Sequence, residues 1–267
     1  MINILARHNM KSSPVNIVVP MAGRGSRFAV AGYRDPKPLI DIFGKTMIEA
    51  VIENLTPNQP FQFIFICQRQ HYIEYELEAL FKRSLGASWR CVQIDGVTEG
   101  AACTVLQAEP LINTESSLII ANSDQLVDCN ISDFLEHAYT SAVDGLIMTF
   151  PATDEKWSYV SVDASGFGTE VAEKRRISPH ATVGIYHFAS GHAFVNAAQE
   201  MIRKNIRVNG EFYVAPVYNE LIQNGARIAL WGIEENAMHG LGTPDDLVAY
   251  FKSRGSYEAR SFPKVKV

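Results

Sequence analysis

Hydrophobic positions fall into two regimes along the chain. In the first half, continuous apolar runs alternate with stripes of helical period. Val15 to Val19 (VNIVV), Phe61 to Cys67 (FQFIFIC) and Leu118 to Ala121 (LIIA) read as strands buried on both faces. Between them, Met47, Ile48, Val51, Ile52 and Leu55 recur at the spacing of one helix face. Ile73, Leu77, Leu80 and Phe81 mark a second helix. Arg90 to Ile94 predicts a short strand, and Ala101 to Ala108 a helix. Thr46, with Glu49 three residues on, predicts a capping box. Asn130 predicts another N-cap, followed by Ile131, Phe134, Leu135 and Ala138 on one face. Such alternation predicts a mostly parallel sheet with helices on both sides.

The second half changes character. Leu146 to Phe150, Tyr159 to Val162, Gly168 to Ala172 and Thr182 to Phe188 read as short strands, with Asp163 to Gly168 as a hairpin loop. Helices are expected near His192 to Arg203 and Tyr213 to Gln223, and a strand over Arg227 to Gly232. Thr243 starts a last helix with Pro244 at its first position. The fold expected is a Rossmann-like α/β/α three-layer sandwich with a mixed, mostly parallel sheet. Residues 1–14 read as an N-terminal extension, 15–253 as a single domain and 254–267 as a polar tail.

Composition narrows the function classes. The chain has 267 residues, 47% of them hydrophobic, enough for a sizeable core. A net charge of -5 argues against a general nucleic-acid surface. Cys67, Cys91, Cys103 and Cys129 lie far apart with no CxxC; three sit in or beside apolar runs and are expected as buried thiols, rather than a metal site or disulfides. No apolar run approaches the roughly 20 residues needed to span a bilayer. The first residues carry no signal-peptide pattern, and the expected compartment is the cytosol.

The chemistry concentrates between Val15 and Ile48. The first apolar run ends at Pro20 and opens into Gly23-Arg24-Gly25-Ser26-Arg27. Glycines let backbone approach a ligand closely, a hydroxyl donates, and guanidinium forks match phosphate geometry. Asp35-Pro36-Lys37-Pro38 then presents one ammonium between two prolines, which should hold the backbone extended. Together they describe a polyphosphate site at a strand end. A ligand-free glycine turn is the plainer alternative. The dinucleotide fingerprint does not fit, because Phe28 stands where its third glycine belongs. Gly44-Lys45-Thr46 is no P-loop, because Leu39 replaces the required glycine.

Ala22, Gly23, Gly25, Ser26, Arg27 and then Pro36, Lys37, Pro38, Leu39 resemble the signature of the nucleotidyltransferases that make nucleotide-sugars, the pyrophosphorylase superfamily. The variant spelling looks like a bacterial branch that serves surface polysaccharide and phospho-alcohol activation. The resemblance implies the nucleotide-diphospho-sugar transferase type of fold. It also implies a reaction in which an NTP and a phosphorylated small molecule, a sugar 1-phosphate or a phospho-alcohol, give an NDP-linked product and pyrophosphate. Ala22, Gly23, Gly25 and Ser26 would bind the nucleotide; Arg27 and Lys37 would be catalytic.

Four later segments extend the picture. Asp124 follows the apolar strand at Leu118 to Ala121, where open α/β sheets bind ligands, and its carboxylate suits Mg²⁺; a turn or capping aspartate is the alternative. Gly100 and Ala101 are small residues before a helix, and the resemblance makes them base or ribose contacts. Glu173-Lys174 ends a strand, and the resemblance makes the pair an acceptor site; Arg175, where the family often has proline, leaves the acceptor open. Gly240-Leu241-Gly242-Thr243-Pro244 resembles the family's D-x-G-T-P segment, but its second metal aspartate is here Gly240. His239 is a poor match for magnesium. Asp128 is expected to open the next helix. A sugar-transferring enzyme of the related fold is the rival, weakened because Ser123-Asp124-Gln125 is no Asp-x-Asp. A non-catalytic nucleotide-binding protein is the third reading. No nucleic-acid partner and no membrane insertion are expected; a homo-oligomer is compatible with the sequence.

Overall fold

The computed structural model describes residues 13–255. All but the inner two residues of the expected N-terminal extension and C-terminal tail lie outside the described residues. In chain order the strands are β1 (Val15–Pro20), β2 (Asp41–Ile42), β3 (Lys45–Thr46), β4 (Phe61–Gln68), β5 (Trp89–Ile94), β6 (Leu118–Ala121), β7 (Gln125–Val127), β8 (Gly145–Pro151), β9 (Ser158–Val162), β10 (Gly168–Glu173), β11 (His180–Phe188), β12 (Ile228–Gly232) and β13 (Met238–Gly240). The helices are α1 (Ser26–Val30), α2 (Met47–Leu55), α3 (Arg69–Glu74), α4 (Leu77–Leu85), α5 (Ala101–Leu106), α6 (Glu109–Ile112), α7 (Ile131–Thr140), α8 (Gly191–Arg203), α9 (Val217–Gln223) and α10 (Pro244–Ser253).

Nine strands form one sheet. β5, β4, β1 and β6 are parallel neighbours; β11 runs antiparallel to β6, β8 antiparallel to β11, and β12 parallel to β8. The β9–β10 hairpin joins β11 through Ala181 and Tyr159. This is the mixed, mostly parallel α/β sandwich that the sequence predicts.

The apolar runs explain the layering. Along β1 and β4, Val15, Ile17, Val19, Phe63, Phe65 and Cys67 face one way; Val18, Ile64 and Ile66 face the other. Side chains alternate along a strand, so an unbroken apolar run is buried only if both faces are covered. One face packs against α2, α4, α7 and α10, with Phe65 and Phe81 stacked at 3.9 Å. The other packs against α5, α6, α8 and α9, with Phe188 stacked on Tyr218 at 4.5 Å. Each fully buried large apolar side chain contributes about 1.5–3 kcal/mol. The capping box at Thr46 and Glu49 is formed, and Asn130 accepts from the Ser132 amide. Among the described residues, no helix is long and apolar enough to cross a membrane.

Several expectations need correction. The helix expected through Ile73 to Phe81 is two helices, broken at Glu76 with φ 46°, and Ile73 is exposed. The helix expected from Tyr213 starts only at Val217, because the Phe212 backbone is committed to Glu99 and Ala102. Asp128 does not open α7; it accepts from His239 and Arg254. Of the cysteines, all free, only Cys67 is fully buried. The two-stranded ribbon of β7 and β13 has no counterpart in the expected elements.

Candidate active site

The glycine-bearing loop is fixed at both ends and exposed in the middle. The Met21 amide donates to Ile66 O at 2.8 Å, and Gln68 Nε2 donates to Ala22 O at 2.9 Å. Phe28 is buried and anchors the far end. Between these anchors Gly23, Arg24, Ser26 and Arg27 face solvent. They line a cavity of about 580 Å³ with Gly25, Lys37, Thr98, Gly100, Ala101 and Thr104. Gly25 has φ 59°, a left-handed conformation that costs a residue with a Cβ about 1–2 kcal/mol.

Lys37 meets this loop from its own segment. The extended backbone expected around it is found at Pro36, with ψ 142°. Lys37 itself opens a single 3₁₀ turn through Leu39, since the burial of Pro38 and Leu39 turns the chain inward. A Cβ on Gly25 would lie 3.4 Å from Lys37 Cβ, so the loop and the lysine segment are in direct contact. The Lys37 ammonium reaches Asp124 Oδ2 at 2.7 Å.

Asp124 is held by its neighbours on both sides. The Asn122 amide donates to Gly184 O at 3.0 Å, and Asn122 Nδ2 donates to Gln125 Oε1 at 3.0 Å. The first of these bonds reaches β11 where its register on β8 shifts, and Gly184 there has φ 94°. A Cβ on Gly184 would fall 2.0 Å from Gln125 Oε1. Asp124 O accepts from the Leu241 amide at 2.8 Å, tying the turn to the chain entering α10. The strand end therefore presents the carboxylate from a cross-linked support.

Gly100 owes its identity to a close approach. Its φ is 134°, and a Cβ would lie 2.4 Å from Phe212 O. Phe212 N donates to Glu99 O at 2.8 Å and Ala102 N to Phe212 O at 3.0 Å, so the 211–212 segment is laced onto the start of α5. Ala101 then lies on the wall of the cavity.

A second cavity of about 750 Å³ adjoins the first; both share Arg27, Ala101, Glu211 and Gly242. Asp124, Glu173 and Lys174 all line it. The Ser158 hydroxyl donates to Glu173 Oε2. Burial raises the Glu173 carboxyl above the usual range, against the pull of Ser158. Lys174, at φ 52°, donates to the Tyr213 hydroxyl at 2.7 Å, and that bond raises the lysine pKa. Its ammonium also sits 4.8 Å from the Tyr213 ring centroid. Trp157 forms another part of the wall, with Lys156 Nζ 4.8 Å from its ring.

The residues given nucleotide, catalytic, metal or acceptor roles in the sequence (Ala22, Gly23, Gly25, Ser26, Arg27, Lys37, Gly100, Ala101, Asp124, Glu173 and Lys174) thus line one or both cavities. Sequence reasoning missed Trp157, Glu211 and Tyr213. They sit in segments with no motif; the Asn209-Gly210 turn before Glu211 was the available signal. His239 is engaged elsewhere, with Nε2 2.8 Å from Asp128 Oδ2. Among the described residues, no group of three or more His, Cys, Asp or Glu is placed to hold a metal. Asp124 offers a hard carboxylate oxygen that faces both Lys37 and Gly242.

A family model described as nucleotidyl transferase matches residues 17–227. No curated protein matches the chain. Among solved structures, the nucleoside-diphosphate-sugar pyrophosphorylase from Vibrio cholerae RC9 superposes with a TM-score of 0.76 at 26% identity, covering 88% of this chain and 99% of that one. The inositol-1-phosphate CTP transferase from T. maritima superposes with a TM-score of 0.72 at 14% identity, covering 94% of this chain and 99% of that one. The second likeness concerns the fold alone.

Proposed function

Because the chain belongs to the nucleotidyl transferase family, we propose that residues 15–253 form one nucleotidyltransferase domain that joins an NTP to a phosphorylated sugar or alcohol and releases pyrophosphate. The observation that carries this reading is the Lys37–Asp124 pair, 2.7 Å apart, between a glycine-lined cavity and a second cavity bearing Glu173 and Lys174. The name of the solved relative at 26% identity, a nucleotide-sugar enzyme, fits a phosphorylated sugar as acceptor.

The chain's own groups assign the steps. Gly23, Gly25, Ser26 and Arg27 hold the β- and γ-phosphates through backbone amides, a hydroxyl and a guanidinium. Gly100 and Ala101 offer a flat surface to the base or ribose. Glu173 accepts hydroxyls of the acceptor, and Lys174 takes its phosphate. The acceptor's phosphate oxygen attacks the α-phosphorus in line, the bond to the pyrophosphate oxygen breaks, and pyrophosphate leaves. No protein nucleophile is needed; catalysis is positioning and charge stabilisation. Lys37 neutralises charge growing around the α-phosphorus.

A divalent cation fits this site. Asp124 supplies a hard oxygen beside Gly242, where a Cβ would lie 3.1 Å from Oδ2 and where glycine leaves room. Mg²⁺ held there would neutralise phosphate charge. In this reading the reaction runs in the cytosol and its product feeds surface-polysaccharide assembly.

The test is a pyrophosphate-release screen of four NTPs against phosphorylated sugars and alcohols. Release that needs one NTP and one acceptor together supports the reading. No release with any pair, in folded protein with Mg²⁺, rejects it.

A further inference from the structure

The space beside Asp124 has a second acidic wall. A Cβ on Gly242 would lie 3.1 Å from Asp124 Oδ2 and 3.9 Å from Asp246 Oδ2. Both carboxylate oxygens therefore lie within 3.9 Å of one point, where any residue but glycine would place an atom. Asp246 reaches this point from the first turn of α10, where its amide donates to Thr243 Oγ1 at 3.1 Å. Each carboxylate faces an ammonium: Lys37 at 2.7 Å from Asp124 and Lys156 at 3.9 Å from Asp246.

Position 240 points elsewhere. A Cβ on Gly240 would meet Trp157 Cη2 at 3.7 Å and Met238 Cε at 3.9 Å, and no atom of Asp124 within 4 Å. The backbone there pairs with Gln125 across the ribbon. A short acidic side chain at 240 would run along the indole edge.

We propose that Asp246 is the second carboxylate of the divalent-cation site, acting with Asp124 across the hollow that Gly242 leaves. Mg²⁺ is commonly bound by one or two carboxylates, with phosphate oxygens and waters completing its shell. Asp246 therefore binds it directly or through a metal-held water. Lys37 and Lys156 neutralise these carboxylates in the ligand-free site, and the phosphates of a nucleotide would offer both ammoniums other partners. The inference rests on the assignment of Asp124 above. A merely structural aspartate at a helix start would favour the helix dipole and would leave metal affinity unchanged.

The experiment uses Mn²⁺ as the probe ion, with each of the four NTPs and no acceptor, so that no turnover occurs. Water-proton relaxation reports the ternary complex, and NTP affinity in EDTA reports the state of the pocket. Asp246→Asn is expected to weaken Mn²⁺ binding about tenfold or more, the scale for losing a carboxylate partner of a metal. Gly242→Ala is expected to weaken it too, by filling the hollow without removing charge. Wild-type Mn²⁺ affinity in either variant, while Asp124→Asn loses it, would overturn the role of Asp246 and leave the proposed function standing. Wild-type affinity in Asp124→Asn would instead remove the metal assignment itself, and this inference with it.

Discussion

The Lys37 ammonium and the Asp124 carboxylate lie 2.7 Å apart, although 87 residues separate them in the chain. Their side chains are 22% and 16% exposed, so the pair stands at the cavity wall, partly screened by solvent. It closes the gap between the loop after β1 and the turn after β6, neighbouring parallel strands whose C-terminal ends face the same way. Without ligand each charge neutralises the other. In the proposed function an NTP and a cation would give both groups other partners, and the pair would then be their resting state.

Asp124→Asn should therefore spare the fold and damage the chemistry. A partly exposed ion pair contributes only about 0–1 kcal/mol to stability. Losing one electrostatic stabiliser lowers turnover by about 10² or more. Thermal unfolding and steady-state kinetics read the two effects separately. Full magnesium-dependent turnover in the variant would reject the assignment.

Lys37→Ala separates catalysis from binding. An ammonium near the α-phosphorus is worth more in the transition state than in the ground state, so kcat should fall more than KM rises. The expected loss is on the order of 10²–10³ in kcat. Lys37→Arg should rescue poorly, because a planar fork does not replace a point charge. If the Ala variant changes only the KM for NTP, the lysine is a ground-state anchor.

Gly25→Val tests the loop. The residue sits at φ 59°, and its Cβ would meet Lys37 Cβ at 3.4 Å. A β-branched residue resists that φ, so the loop must shift, and Lys37 with it. The sequence alone suggests that the side chain would occupy phosphate space; the structure directs it at the lysine segment instead. NTP binding should be lost in equilibrium titration while thermal stability falls modestly. Unchanged affinity in a folded variant would reduce the glycine to a turn former.

His187 gives the fold a pH dependence. It is buried in β11, with Nε2 2.8 Å from Ser117 Oγ and Nδ1 without a partner among the described residues. Burial lowers its pKa to about 3 from the ordinary 6.5. The unfolded chain binds the proton more readily, so this contribution is complete above pH 6.5 and is lost as pH falls toward 3. Between those values the slope is about 1.4 kcal/mol per pH unit. Urea unfolding between pH 7.5 and 5 should show it, and His187→Gln should flatten that part of the slope. Equal slopes in both proteins would mean that the histidine does not take up a proton on unfolding.

Local sequence determined much of this protein. Apolar runs such as VNIVV and FQFIFIC specify strands buried on two faces, because side chains alternate along a strand and nothing polar interrupts. Caps at Thr46, Asn130 and Thr243 were legible because a cap is a contact between near neighbours. That the glycine loop and Asp124 follow the ends of buried strands was legible from the apolar runs before them.

Tertiary structure decided what depends on distant partners. The helix expected from Tyr213 starts at Val217 because Phe212 hydrogen-bonds residues more than a hundred positions earlier. The β7–β13 ribbon is too short to leave a periodic pattern, and each half forms only because the other lies beside it. Trp157, Glu211 and Tyr213 join the second cavity without any motif to announce them. Gly242 and Asp246 reached Asp124 only through the return of the chain into α10. Periodicity and capping act over a few residues and are written locally; which carboxylate faces which lysine depends on how the sheet brings distant loops together.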